Sequence, residues 1–550
     1  MKRLIIILGW CACIGAHAQQ QENHNAQVTR NLEIFCDIYK QLDLFYVDTI
    51  SADTIIEWGI HTMLDQVDPF TSYYPAQDDD DLRQMATGKY AGIGSMIRFH
   101  KKEDRVAISE PYIGSPAQKA GVKAGDIIMS IDGKDVKGMN NTKVSQMLRG
   151  EAGTTFELKV KRMGEKKELT FQITRETIQL PQVPYYGMLR DGVGYIYLTG
   201  FTDGACREVR QALLDLKSLG CKSLVLDLRG NPGGAVNEAV DIVNLFVEKG
   251  QKVVYTKGKM STQDRDYYTA SEPIDTLMPL AVLIDGNSAS ASEIVSGSLQ
   301  DLDRAVIVGE RSYGKGLVQA IRDVQYGGNL KITTGRYYIP SGRCIQAYDY
   351  RHRNADGSAG TMPDSLTNLF HTRAGRPVRD GGGIKPDLVI PGDSLPTLIY
   401  DLVGSDPFFD YATHYTHLHP TIAPAGQFSM SDADYDDFVQ FIQGEGFTYN
   451  RRSDEVLDLL HDIAKREGYL EQAQAEFDAL KAKFTTDLAA DLRRFRQKIE
   501  PFIADEVVRR YYYEAGGVQQ QLANDPYTDR AIEVLTSNKE YSSILAGEKK

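Results

Sequence analysis

At 550 residues the chain is too long for one hydrophobic core and reads as roughly three or four domains of about 150 residues. Its 42% hydrophobic and 25% charged residues are ordinary for folded domains in water. A formal charge of -13 disfavours nucleic acid and anionic lipid as general partners.

The first residues have the make-up of an export leader. Lys2 and Arg3 precede the apolar run Leu4–Trp10, and Ala16-His17-Ala18 forms a small-x-small cleavage site before Gln19. That run is shorter than the ~20 apolar residues needed to cross a bilayer. The expectation is a signal peptide over 1–18 and a mature chain in the periplasm or cell envelope. Cleavage leaves Cys36, Cys206, Cys221 and Cys344, which can pair in three ways and form no C-x-x-C motif.

Residues 19–88 read as a helical region. Leu32, Phe35, Tyr39, Leu42, Phe45 and Tyr46 recur at helical spacing, as do Ile56, Ile60, Met63, Leu64 and Val67. Asp68-Pro69 stops the second helix, and Asp78–Asp81 reads as a solvated acidic loop.

Residues 89–178 change character. Strands are expected at Arg105–Ile108, Asp126–Ile131, Phe156–Lys161 and Glu168–Ile173, with short helices at Pro116–Ala120 and Asn141–Leu148. Over 179–395, strands and helices alternate as in a layered α/β core. Strands are expected at Val193–Leu198, Ser223–Asp227, Leu280–Ile284, Ala305–Val308 and Leu330–Tyr338. Helices are expected at Cys206–Leu219, Ala235–Glu248 and Ala289–Asp301. Residues 347–382, rich in Gly, Asp and Arg, read as a surface insertion. The remainder, 396–550, is helical again, with amphipathic stretches at Asp434–Ile442, Asp454–Arg466 and Glu471–Arg494.

Three segments of the α/β region carry chemistry. Asn287-Ser-Ala-Ser-Ala-Ser-Glu293 lies between a strand and a helix, where helix-terminal N–H groups favour a developing oxyanion. Helix capping by Ser and Asn explains the same residues equally well, and the spacing does not choose among Ser288, Ser290 and Ser292. In Gly309-Glu-Arg-Ser-Tyr-Gly-Lys315-Gly-Leu-Val-Gln319, two glycines let the backbone approach closely and confine the lysine amine. A lysine serves as a base when burial lowers its pKa from about 10.4 towards neutrality. Gln319 would lie beside Lys315 on a helical turn, but about 13 Å away along a regular strand. The G-x-x-x-x-G-K match here is not a phosphate loop, because Gly316 stands where Ser or Thr would hold Mg²⁺. The third segment, Asp227-Leu-Arg-Gly-Asn-Pro-Gly-Gly234, suits the second half of an oxyanion site or an ordinary turn.

Together, DLRGNPGG, SASASEI and GKGLVQ, with Tyr338-Ile-Pro-Ser-Gly-Arg343-x-Ile-Gln346 and Gly383-Ile-Lys-Pro-Asp387, resemble the signatures of the C-terminal processing peptidases. The resemblance covers about residues 30–395. It implies Ser290 as nucleophile, Lys315 as base, Gln319 as the residue orienting the lysine, and the amides of Ala291 and Gly233 as the oxyanion site. It implies no metal and no other cofactor. Residues 89–178 resemble a PDZ domain, with Tyr90-Ala91-Gly92-Ile93-Gly94 similar to the loop that cradles a peptide's C-terminal carboxylate.

The expected architecture is therefore a multi-domain α/β protein: a Ser/Lys peptidase core with an inserted PDZ domain, flanked by helical N-terminal and C-terminal regions. The expected function is an exported serine endopeptidase acting on polypeptides with exposed C-termini, in processing or degradation of envelope proteins. The alternative is a non-catalytic or partner-activated PDZ peptide-binding scaffold on the same fold. The C-terminal helices match no motif and are free to brace the core, form a homo-oligomer or bind an adaptor protein. His414-x-x-His417-x-His419 has no nearby Cys and sits beside Pro420, so a packed or loop cluster is expected there rather than a metal centre.

Overall fold

The computed structural model describes residues 2–76, 79–392, 394–449, 451–483 and 487–547, with backbone alone for 2–23 and 79–81. The chain divides into two compact units, one of residues 1–76 with 319–332 and one holding the rest.

In the smaller unit, helices Lys2–Phe45 and Ala52–Asp65 are followed by strand Ser72–Tyr74, which pairs antiparallel with residues 329–331. The first helix begins at Lys2, inside the expected leader. Asp68 ends the helical run by accepting the N–H groups of Phe70 and Thr71, both at 2.8 Å. The helical stripe predicted from Leu32, Phe35, Leu42 and Phe45 forms, but it faces solvent rather than a core. The predicted acidic loop falls partly outside the described residues; its described part, from Asp79, opens helix Asp79–Thr87. Among the described residues no helix is long and apolar enough to cross a membrane.

The larger unit begins with the PDZ-like module. Its sheet runs Ser95–His100, Arg105–Pro111, Ile127–Ile131, Thr155–Lys161 and Leu169–Thr174, closed by helices Pro116–Ala120 and Asn141–Leu148. Val106, Ile108, Ile128, Leu158 and Val160 form its core on one face, while Ala107 and Ile127 on the other pack against Phe409.

The α/β core is a six-stranded sheet. Tyr185–Met188 pairs antiparallel with Val193–Tyr197, and parallel strands Ser223–Asp227, Leu280–Ile284, Val306–Gly309 and Leu388–Val389 follow in order. The central strands are apolar at consecutive positions, so both faces must be covered. Leu224, Leu226, Val282, Ile284 and Ile307 pack against Val209, Leu213, Ile242 and Ile294 of three helices on one face. On the other, Val225, Ala281, Leu283, Val306 and Val308 pack against Val518, Ala531, Ile532, Val534 and Leu535. That second cover comes from helices Arg496–Leu522 and Pro526–Thr536, near the end of the chain. The C-terminal region thus completes the core rather than standing apart from it. Its other helices, with the first part of Arg496–Leu522, close a second core around Phe408, Tyr411, Phe438, Ile442, Leu492 and Ile499.

One element differs from expectation. The single helix predicted at Glu471–Arg494 is two, Leu470–Lys483 and Leu488–Arg494, and Phe484 of that prediction lies outside the described residues. The insertion at 347–382 carries two small hairpins. Cys36, Cys206, Cys221 and Cys344 are all free thiols. His414 sits against Phe441 and Asp437, and His419 stacks on Tyr415 at 4.1 Å between ring centres, so these histidines pack as separate contacts.

Candidate active site

Strand Leu280–Ile284 ends in a tight turn closed by Asp285, whose carboxylate accepts the N–H groups of Asn287, Ser288 and Gly230 at 3.0 Å each. The chain then enters helix Ala291–Asp301. The three serines of this turn are not equivalent. Ser288 is fully buried and its hydroxyl donates to Leu228 O at 2.8 Å; Ser292 is fully buried and donates to Asn231 O at 2.9 Å. Both hydroxyls bind this turn to the Asp227–Gly234 segment. Ser290 alone of the three is partly exposed, and it is held at φ 55°, ψ -111°, a conformation costly for any residue but glycine.

Glu293, three residues on, is completely buried. One carboxylate oxygen accepts Ser290 N–H at 2.8 Å and Lys315 N–H at 2.9 Å; the other accepts Gly314 N–H at 2.7 Å and the Ser312 hydroxyl at 2.5 Å. Burial pushes this carboxyl up to about 7, against the four hydrogen bonds that favour its charge. From the opposite side the buried Tyr337 hydroxyl donates to Lys315 O at 2.6 Å and Ser290 O at 3.1 Å. Glu293 and Tyr337 therefore bracket the serine turn and the lysine segment, one through N–H groups and the other through carbonyls.

The glycines flanking Lys315 serve close packing. A Cβ at Gly314, where φ is +86°, would lie 2.3 Å from the Ala347 side chain, and one at Gly316 would lie 2.7 Å from Gln346 N. Gly316 N–H donates to the Gln346 side chain at 2.8 Å, and Ile384 N–H to the Ser312 hydroxyl at 2.6 Å. The motifs around Gln346 and Ile384 are thus the walls of the lysine segment. Buried Arg343 anchors its own motif by a 2.9 Å pair with Asp301. Gln319 lies in strand Leu317–Asp323, not on the helical turn that would have set its amide beside the lysine.

The glycine turn closes the third side. A Cβ at Gly233 (φ +100°) would come within 2.8 Å of both Ala291 N and Ser290 Cβ, so only glycine fits. The Gly233 N–H, however, donates to the Asn231 side chain at 2.9 Å, an engagement not foreseen from the sequence. The cause is local: Asn231 sits two residues earlier, where an Asx-type turn captures that amide.

In the PDZ-like module, Tyr90, Ala91 and Gly92 belong to strand Lys89–Gly92, paired with Glu176–Gln179, and not to a free loop. Ile93 and Gly94 make the turn itself. Their carbonyls accept Ala117 N–H and Tyr112 N–H, both at 2.9 Å, and Gly94 has φ +69°. The turn leads into Ser95–His100, the edge strand of its sheet. Between that strand and helix Asn141–Leu148 lies a cleft of about 260 Å³ lined by Ile97, Asn141, Thr142, Ser145, Gln146 and Arg149. An open strand edge beside a helix is the geometry that accepts an extended peptide as an added strand.

Sequence reasoning left Glu293, Tyr337 and Asn231 without roles. Glu293 alone carried a signal, a carboxylate directly after a small-residue turn and inside an apolar helix.

A PDZ module ahead of an α/β core, with a partly exposed serine at a strand-to-helix turn, defines a PDZ-containing serine peptidase. The model of Peptidase family S41 matches residues 192–365, that of the PDZ domain 108–162, and that of the "Probable PDZ-protease, C-terminal helical domain" 398–535. The carboxy-terminal-processing protease of Bartonella bacilliformis is 36% identical over 334 residues, 60% of this chain and 76% of that one. A probable CtpA-like serine protease of Staphylococcus aureus is 33% identical, over 57% of this chain and 62% of its own length. The carboxy-terminal processing protease CtpA of Bacillus subtilis is 30% identical, over 56% and 65%. The chain belongs to the carboxy-terminal-processing protease family of serine-type peptidases.

Proposed function

We propose that this chain is an exported serine endopeptidase that takes polypeptides by their C-terminal tails through the PDZ module and cleaves them with Ser290 and Lys315. The observation that carries the reading is the double bracket on Ser290 and Lys315 by Glu293 and Tyr337. It favours a fixed relation between the two segments, as proton transfer between a serine and its base requires.

In this mechanism neutral Lys315 Nζ takes the Ser290 Oγ proton as Oγ bonds to the scissile carbonyl carbon. The carbonyl electron pair moves onto oxygen, facing the Ala291 N–H at the start of its helix. Gly233 supplies the second donor once its N–H exchanges the Asn231 side chain for the oxyanion. Collapse expels the amine, which leaves with the proton held by Lys315. Water then attacks the acyl-enzyme by the same route, and Ser290 is regenerated. Gln319 is assigned by family correspondence to orient the lysine. No step calls for a metal. The Ile93–Gly94 turn receives the substrate carboxylate and Ser95–His100 receives its last residues as an added strand. Tethering there raises the local concentration of the chain to be cut. The leader composition supports an envelope location.

The test is digestion of an unfolded model protein with an apolar C-terminus by wild type, Ser290→Ala and Lys315→Ala. Cleavage by wild type and by neither variant is the expected outcome. Cleavage by Ser290→Ala overturns the assignment. An inert wild type favours a partner-activated or scaffold role instead.

A further inference from the structure

The segment Asp227–Gly234 is fastened at its start by an arginine that reaches into the C-terminal helical domain. Arg229 donates to Asp227 through Nε at 3.0 Å and Nη2 at 2.6 Å. The same guanidinium donates to Asp525 through Nη1 at 3.0 Å and Nη2 at 2.7 Å. Asp227 is further held by the Tyr195 hydroxyl at 2.7 Å. Asp525 caps helix Pro526–Thr536, accepting Tyr527 N–H at 3.1 Å and the Thr528 hydroxyl at 2.5 Å. The ring of Tyr527 lies 5.0 Å from the Arg229 guanidinium, and its hydroxyl bonds Glu310, which opens the segment leading to Lys315. One helix end thus grips both the glycine turn and the lysine segment.

Such an arrangement exceeds what packing needs. Helix Pro526–Thr536 already covers the sheet through Ala531, Ile532, Val534 and Leu535. Its cap needs only a side-chain oxygen at position 525, for which Ser or Asn would serve. An aspartate that is also bidentate to a partly buried arginine adds direction, because the guanidinium fork accepts a carboxylate in one plane. Arg229 immediately precedes Gly230, whose N–H is tied to Asp285, and Asn231, whose carbonyl accepts Ala289 N–H at 3.0 Å and the Ser292 hydroxyl. A shift at Arg229 is passed by these bonds to the turn in which Gly233 faces Ala291.

We infer that Asp525 is a positioning residue of the peptidase site, acting through Arg229 to set the glycine turn against the serine helix. The C-terminal helical domain is then a working part of the active site as well as a cover for the sheet. The inference rests on the proposed reading of Ser290, Ala291 and Gly233.

The experiment uses the full mature chain and a quenched-fluorescence peptide, with kcat, KM and the unfolding midpoint measured for each variant. Asp525→Asn keeps the cap and removes the charge; Asp525→Glu keeps the charge. Asp525→Asn should lower kcat at least tenfold, with KM within about twofold and the midpoint unchanged, and Asp525→Glu should recover part of the loss. Arg229→Lys, which keeps the cation without the fork, should show the same deficit, and the double variant should be no worse than either single one. Unchanged kcat in Asp525→Asn overturns the inference, as does a loss that follows the unfolding midpoint or appears in KM alone. Should Asp525→Asn prove unstable, additivity between Arg229→Lys and Asp525→Glu overturns it. Ser290→Ala run alongside separates the two levels: if that variant still cleaves, the site reading has failed, not the positioning role.

Discussion

Ser290 and Lys315 share one acceptor: a single carboxylate oxygen of Glu293 receives both backbone N–H groups, at 2.8 and 2.9 Å. In Glu293→Gln the amide nitrogen would face two of the four donors and leave them unpaired. At about 1–3 kcal/mol for each buried orphan, a loss of roughly 2–6 kcal/mol is expected, together with at least a tenfold fall in kcat. The carboxyl titrates near 7 in the folded chain against an ordinary value of 4.5. Between those values the folded chain keeps a proton that the unfolded chain has released, so stability falls as pH rises from 4.5 towards about 7 and then levels. Denaturant unfolding across that range should show the slope in wild type and a flattened one in Glu293→Gln.

The strained backbone of Ser290 separates it from its neighbours. Ser290→Gly should be more stable than Ser290→Ala by about 1 kcal/mol, since glycine tolerates a positive φ. Ser288→Ala should instead cost about 1–3 kcal/mol, because its oxygen both donates to Leu228 O and accepts Asp285 N–H. Unfolding of the three purified variants checks the order.

His100 joins the PDZ module to the C-terminal helices. Burial disfavours its charge, but the 2.8 Å bond to Asp410, with the charges of Asp410, Asp406 and Glu103, more than offsets this and raises its pKa. A raised histidine contributes stability below about 6.5 and loses it as pH climbs through the folded value. Hydrogen exchange in Ser95–His100 and Pro407–Leu418, corrected for intrinsic rates, should therefore report looser docking at about pH 8 than at about pH 6. His100→Gln should remove the difference.

Gly94 tests the proposed peptide site. A Cβ there would lie 2.5 Å from the Ser115 side chain, at a φ of +69°. Gly94→Ala should weaken binding of a labelled C-terminal peptide at least fivefold by fluorescence anisotropy, and amidating the peptide should do the same to wild type. Equal binding of the free acid and the amide would move the carboxylate site elsewhere.

Periodicity and turn chemistry made much of the fold legible. Ser223–Asp227, Leu280–Ile284, Pro116–Ala120 and Asn141–Leu148 run as their local patterns require. These are short-range properties that neighbouring residues alone dictate. What tertiary structure decided is of longer range. Three serines of identical chemistry differ in part because Leu228 O and Asn231 O, far off in the chain, take the hydroxyls of two of them. Glu293 and Asp525 look like ordinary helix-end acids until folding brings Lys315 to one and Arg229 to the other. Continuous apolar strands announce that a sheet must be covered on both faces, but not by what. The cover is helix Pro526–Thr536, hundreds of residues downstream, because burial rewards any apolar face of the right shape whatever its distance along the chain.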